Sequence, residues 1–233
     1  MKTIKRHLIK KIQTTTLERK ISGTKILILG PLHIDEQVLL ETIKKIKPHF
    51  LFLIDGATTH LSKLKNWSKG IVLTVGDGDS SAHKYQMDFL LPTNKNCSDL
   101  SFLIDSLISS KITIERLSLL GFSQTKKAEE RVDHLLFTLA IIEKISKRLA
   151  LIIDMDNQYL FLPPGNHVFK YFGTFSLFSF KTTQLSITGE VDYPLIKPKK
   201  LQALSSLGLS NKASGVLKIA STQALIVYLA GSK

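Results

Sequence analysis

The chain contains one cysteine, Cys97, among its 233 residues, so no disulfide can form within it and a packed core has to supply its stability. Long apolar runs are missing as well. The longest, near Leu135 to Ile142, falls far short of the roughly 20 residues a membrane-spanning helix needs. The first twenty residues carry Lys2, Lys5, Arg6, Lys10, Lys11, Arg19 and Lys20 but no apolar stretch of the kind a secretory signal requires. Acidic residues are few: 19 Asp and Glu face 32 Lys and Arg, a net charge of +13. That excess fits a solvated basic surface, attraction of an anionic small substrate such as ATP, or nucleic-acid binding. No arginine cluster, zinc-ligand spacing or interleaving of aromatic with basic residues marks a nucleic-acid interface. The expectation is a cytoplasmic protein with no membrane segment and no nucleic-acid partner.

Hydrophobic residues make up 43% and charged residues 22%, an ordinary globular balance, and the length suits one large domain or two small ones. Residues 1–24 read as a basic N-terminal arm. From Lys25 the periodicity becomes regular. Lys25 to Gly30, Phe50 to Ile54, Ile71 to Val75 and Arg116 to Leu120 are short apolar runs of buried-strand type, with Phe89 to Leu91 a shorter one. Between them, Val38, Leu39, Thr42, Ile43 and Ile46 keep helical spacing from an Asp35 cap to a stop at Pro48. Leu100, Leu103, Ile104, Leu107 and Ile108 mark a second helix, and 127–148 a long third one. Strands alternating with helices predict a mainly parallel sheet over 25–149.

Beyond about residue 150 helical spacing disappears. Ala150 to Ile153, Tyr159 to Leu162, Val168 to Phe172, Phe175 to Phe180, Gly215 to Ala220 and Ala224 to Leu229 read as strands, separated by turns at Pro163 to Asn166, Gly173, Gly189 and Gly208. The expected fold class is an α/β N-terminal domain with a mainly parallel sheet, followed by an all-β sandwich domain over 150–233.

Two predicted strand ends carry Asp and Gly together: Asp55-Gly56 and Gly76-Asp77-Gly78-Asp79-Ser80. Ligands of open α/β sheets bind beyond the carboxyl ends of strands, and two carboxylates in one tight loop suit a hard cation such as Mg²⁺. The same residue types also make plain turns. Asn94-Lys-Asn96-Cys-Ser98-Asp99 opens a helix, where its polar residues serve equally as caps. Arg131-Val-Asp133-His134 places Arg131 and His134 on one helical face, with Glu129 and Glu130 nearby as ion-pair partners.

The order of these pieces resembles the thiamine pyrophosphokinase family: Asp-Gly-Ala, then Gly-Asp-x-Asp-Ser, Asn-Lys-Asn-x-Ser-Asp-Leu, and Arg-x-Asp-His. In the second half, Ser186 to Leu195 and Gly208-Leu-Ser210-Asn211 are similar to that family's segments, so the resemblance covers roughly residues 50–230. It implies an ATP-dependent pyrophosphokinase with Mg²⁺ as cofactor, which moves a pyrophosphoryl group from ATP to the thiamine hydroxyl and releases AMP. It also implies a homodimer with thiamine held between one chain's α/β domain and the other's sandwich. By the resemblance Asp77, Asp79 and Asp99 bind the metal. Arg131 and Asp133 join them in the reaction, and Asp55, Gly76, Ser80 and Asn96 line the nucleotide site. Thr188, Ser210 and Asn211 stand near the thiamine ring. Three departures stand out: Asn94 and Asn96 replace acidic residues, no glycine pair precedes Arg131, and Asp-Gly-Gly-Ala is shortened to Asp55-Gly56-Ala57. They leave open a pyrophosphokinase for another hydroxymethyl heterocycle, such as a pterin, or a non-catalytic homologue that binds nucleotide or thiamine.

Overall fold

The computed structural model describes residues 1–67, 69–79, 87–123 and 132–230. The chain forms two compact units, Met1–Glu130 and Arg131–Lys233.

The first unit is built on five parallel strands: β1 (Thr24–Leu29), β2 (Phe50–Ile54), β3 (Ile71–Gly76), β4 (Phe89–Leu90) and β5 (Ile114–Leu120). Their order is β5-β1-β2-β3-β4. Leu27, Leu29, Leu51 and Leu53 are fully buried and pack with Leu39, Ile43 and Ile46 of helix α2 (Glu36–Ile46). Asp35 caps α2 by accepting from the Gln37 and Val38 backbone N–H groups at 2.9 and 3.2 Å. The helix ends where Lys47 turns left-handed, φ +50°, just before Pro48. β2 runs directly into a 3₁₀ helix (Asp55–His60) and then α3 (Leu61–Trp67).

The segment expected as a free arm is instead helix α1 (Lys2–Glu18). Leu8 and Ile12 are fully buried, and Gln13 Nε2 donates to the Ser110 carbonyl at 2.9 Å, behind helix α4 (Asp99–Ser109). A stripe of Leu8, Ile12 and Thr15 docks α1, while Lys2, Lys10 and Lys11 stay exposed.

The second unit opens with α5 (Val132–Leu149), so it is not all-β: the long helix belongs with the C-terminal strands, and the division falls before it rather than at residue 150. Ser146 Oγ lies within 2.8–2.9 Å of the Leu151 and Phe161 carbonyls, and buried Glu143 accepts from Ser179 Oγ and the Phe180 N–H. Seven antiparallel strands follow: β6 (Ile153–Met155), β7 (Tyr159–Leu162), β8 (Gly165–Phe178), β9 (Thr183–Val191), β10 (Leu195–Leu201), β11 (Asn211–Ser221) and β12 (Leu225–Leu229). They hydrogen-bond in one order, β10-β9-β11-β8-β12-β7-β6. Alternate residues such as Phe175, Leu177, Leu185, Ile187, Leu217 and Ile219 form the core on one face.

Gly173 and Gly189, read as turns, lie inside β8 and β9. Gly189 has φ +102°, and a Cβ there would meet the Val216 carbonyl oxygen at 2.1 Å, so the residue permits a close strand approach. Among the described residues no helix is long and apolar enough to cross a membrane.

Candidate active site

The carboxyl ends of β2 and β3 lie side by side, because these strands pair in register from Phe50↔Ile71 to Ile54↔Val75. The residue that follows β2 is Asp55, and the residue that follows β3 is Asp77. Parallel pairing therefore brings together two carboxylates 22 positions apart. The third, Asp79, follows in the same loop. One oxygen from each of Asp55, Asp77 and Asp79 lies within 4.8 Å of the others.

Local geometry fixes each group. Asp55 holds an unusual left-handed backbone, φ +40°, and its Oδ1 accepts the Gly78 N–H at 3.1 Å. Gly76 makes room for this carboxylate: a Cβ at Gly76 would lie 1.9 Å from Asp55 Oδ1. Gly78 reaches its position with φ +73°. Asp77 Oδ1 accepts the Asp79 N–H at 3.2 Å, which leaves Oδ2 for another partner. Behind the loop, Asp88 accepts from Thr74 through both its N–H and its hydroxyl, at 2.8 and 3.0 Å, and so braces the last turn of β3.

Asp99 is not in the trio. It sits in the first turn of α4, after the Ser98 cap, hydrogen-bonded to Asp55 and paired with Lys95, whose Nζ lies 3.1 Å from Asp99 Oδ1. This is a charge contact without hydrogen-bond alignment, since that oxygen is buried with no hydrogen-bond partner among the described residues. Of the metal set expected from the sequence, Asp77 and Asp79 lie with Asp55 in the trio, and Asp99 stands beside it, hydrogen-bonded to Asp55.

Lys95 is the group that sequence reasoning missed. Its side chain is 7% exposed, and its ammonium donates to Asp77 Oδ2 while facing Asp99. The available signal was its position four residues before Asp99, inside a motif whose asparagines drew the attention. Asn94 and Asn96 are both exposed, so Asn96 is not placed in the carboxylate cluster.

The electrostatics follow from this crowding. Burial pushes Asp55 up, the hydrogen bond with Asp99 pushes it further, and the Gly78 N–H opposes both, leaving Asp55 raised to about 7. Burial also raises Asp77, but the hydrogen bonds from Lys95 and from the Asp79 N–H outweigh it and hold Asp77 below its ordinary value. Burial pulls the Lys95 ammonium down, and its interactions with the Asp77 and Asp99 carboxylates more than reverse that.

The other expected residues fall elsewhere. Ser80 and Arg131 lie outside the described residues, as does the 124–130 approach to Arg131. Asp133 is exposed on the first turn of α5, in the second unit, 3.9 Å from His134. Thr188 is half-buried on β9, and Ser210 is exposed with φ +54°, its N–H donating to Ser176 Oγ at 3.1 Å. Asn211 is buried. Its Oδ1 accepts the Tyr193 and Lys212 N–H groups, and its Nδ2 donates to the Tyr193 carbonyl. Three of the four hydrogen-bonding positions of its amide are thereby used to pin the β9–β10 connection, so Asn211 does structural work where a thiamine contact was expected.

Three carboxylates at this spacing fit a hard divalent cation. All donors are oxygen, and small side-chain rotations close 4.8 Å onto the roughly 2.1 Å bonds of Mg²⁺.

No family model matches the sequence, and no curated protein matches it. Solved structures do resemble it. Thiamine pyrophosphokinase from Bacillus subtilis is similar with a TM-score of 0.63 and 16% identity, over 88% of this chain and 98% of that one. The enzyme from Geobacillus thermodenitrificans gives a TM-score of 0.64 and 18% identity, over 89% and 98%. That from Candida albicans gives 0.57 and 14%, over 88% of each chain. At these identities the likeness establishes a shared fold.

Proposed function

We propose that this chain is an ATP-dependent pyrophosphokinase whose acceptor is thiamine. The observation that carries the reading is the Asp55, Asp77 and Asp79 trio at the carboxyl ends of β2 and β3. The fold likeness to thiamine pyrophosphokinases and the ordered motifs support it.

In the proposed reaction the thiamine hydroxyl oxygen attacks the β-phosphorus of ATP. The bond from that phosphorus to the oxygen bridging to the α-phosphate breaks, AMP leaves, and the hydroxyl proton is released. A Mg²⁺ held by Asp55, Asp77 and Asp79 would neutralise charge on the phosphate oxygens. The chain's own residues supply rigidity. The Gly78 N–H aims Asp55, the Asp79 N–H aims Asp77, and the Asp88–Thr74 clamp holds the loop they share. Transfers of this kind depend on positioning and charge stabilisation more than on covalent help. Asp99 serves by holding Asp55, and Arg131 and Asp133 are proposed as nucleotide contacts. Thr188 and Ser210 are proposed to face thiamine in a homodimer, in a cytoplasmic setting.

The test is incubation with ATP, Mg²⁺ and a panel of hydroxylated heterocycles. The expected result is AMP release with thiamine. Release with a hydroxymethylpterin alone reassigns the acceptor, and no release with any acceptor overturns the reading. Light scattering is expected to give a dimer.

A further inference from the structure

A buried lysine in an acidic site is a choice with consequences. The Lys95 side chain is 7% exposed, and those of its partners Asp77 and Asp99 are 10% and 12% exposed. Surface lysines keep their ammonium in water; this one has exchanged water for two carboxylates. The carboxylates of Asp55, Asp77, Asp79 and Asp99 converge here, and without a cation among them they would repel one another.

The decisive detail is that Lys95 and the trio share one carboxylate. Asp77 Oδ1 accepts the Asp79 N–H, and Oδ2 accepts from the Lys95 ammonium. Asp77 is also the middle member of the trio that fits a divalent cation. A cation bound there would share the Asp77 carboxylate with Lys95, and two positive charges a few ångströms apart in a partly buried site repel strongly. The two cations therefore compete. Lys95 lies on the segment between β4 and α4, and its flexible four-carbon stem allows the ammonium to move without the helix. Its natural alternative partner is a phosphate oxygen.

We propose that Lys95 is the site's resident cation: it holds Asp77 and Asp99 together until a divalent cation binds at Asp77, and the displaced ammonium then binds a phosphate oxygen of the nucleotide. Metal and nucleotide binding are thereby coupled, each favouring the other. The second half of this inference rests on the proposed pyrophosphokinase activity; the first half does not.

The test is a Mn²⁺ titration of the full chain, read from the electron paramagnetic resonance signal of free Mn²⁺. It is run without nucleotide and then with α,β-methylene ATP, in which the bond to be broken is replaced. The proteins are the wild type, Lys95→Met, Lys95→Gln as a second neutral variant that keeps a polar end, and Lys95→Arg. Without nucleotide, the neutral variants are expected to bind Mn²⁺ about tenfold more tightly than wild type or more, from the loss of one like charge at close range. Lys95→Arg is expected to stay near wild type. After subtraction of the Mn²⁺–nucleotide complex formed without protein, the tightening of Mn²⁺ by α,β-methylene ATP is expected to be clearly smaller in the neutral variants than in wild type. A purely structural lysine would lower the melting temperature on replacement but would not strengthen metal binding. Unchanged or weaker Mn²⁺ binding by a folded neutral variant overturns the inference, as does absence of Mn²⁺ binding from every protein. AMP release from ATP and thiamine is measured separately. If release is absent while the Mn²⁺ result holds, the activity fails and the resident cation stands. Release with unchanged Mn²⁺ affinity has the opposite meaning.

Discussion

Replacing Asp55 with Asn is expected to make the protein more stable and catalytically dead. The backbone at Asp55 is left-handed, φ +40°, a conformation Asn tolerates well. The Asn oxygen still accepts the Gly78 N–H, and its amide donates to Asp99 in place of the proton the two acids share. What disappears is the buried negative charge. Folding raises Asp55 from 3.8 to about 7, so the folded state holds a proton that the unfolded state has already lost. Stability from this group is therefore fully present below about pH 4, declines as pH rises towards 7, and is absent above that. At about 1.36 kcal/mol per pH unit, a difference of about 3 units sets a ceiling near 4 kcal/mol on the cost at pH 8. Because Asp99 and solvent share the load, about 1–3 kcal/mol is expected.

The assay is urea unfolding followed by circular dichroism, with EDTA present, for wild type and Asp55→Asn at pH 4.5 and pH 8. The variant is expected to be more stable at pH 8, with the gap closing at pH 4.5. Saturating Mg²⁺ at pH 8 is expected to stabilise wild type and leave the variant nearly unchanged. Equal stability at pH 8, or a gap independent of pH, would refute the argument that burial and Asp99 raise Asp55.

Three further outcomes are expected. Asp79→Asn, at an exposed position, is expected to leave the thermal melt unchanged and cut AMP release by about 100-fold or more. Asn94→Asp with Asn96→Asp is expected to leave the Mg²⁺ concentration for half-maximal AMP release unchanged, since both side chains are exposed and outside the carboxylate trio; a clear fall would place them beside the metal after all. Asn211→Ala is expected to cost about 1–3 kcal/mol in urea unfolding, because the Tyr193 N–H and carbonyl lose their partners, with no rise in the thiamine KM.

The parallel sheet was legible because β1, β2, β3 and β5 are short apolar runs, buried on both faces, that end at Gly or Asp. α2 announced itself through the Asp35 cap and Pro48. The loop acids were legible for a related reason: Asp and Gly at strand ends follow from topology, so Asp55, Asp77 and Asp79 could be proposed before any coordinates. Asp99 was named for the metal only through the family resemblance, and Lys95 was not singled out at all. Their roles depend on how the α4 N-terminus meets the β3 loop, a long-range placement that no local pattern encodes. β10 was missed because its sequence, Leu-Ile-Lys-Pro-Lys-Lys-Leu, reads as a charged loop. It is an edge strand, where lysine and proline guard against pairing with other chains. Gly173 and Gly189 were read as turns since glycine normally breaks strands, whereas Gly189 serves a close approach to β11.

Docking of α1 also bears on the order in which this protein can assemble as it is made. α1 is made well before a group it docks on: Gln13 bonds a carbonyl 97 residues on. One edge of β1 can pair with β2 soon afterwards, but the other waits about as long as α1, for β5, with Ile26 opposite Leu117. At roughly 5–20 residues per second, the gap amounts to about 5–20 s in which an undocked basic helix and an apolar strand with one open edge coexist on a nascent chain. Slow codons or a stalled ribosome between residues 30 and 110 would prolong that exposure, whereas the same delay after β5 would fall on a first unit whose sheet is already complete.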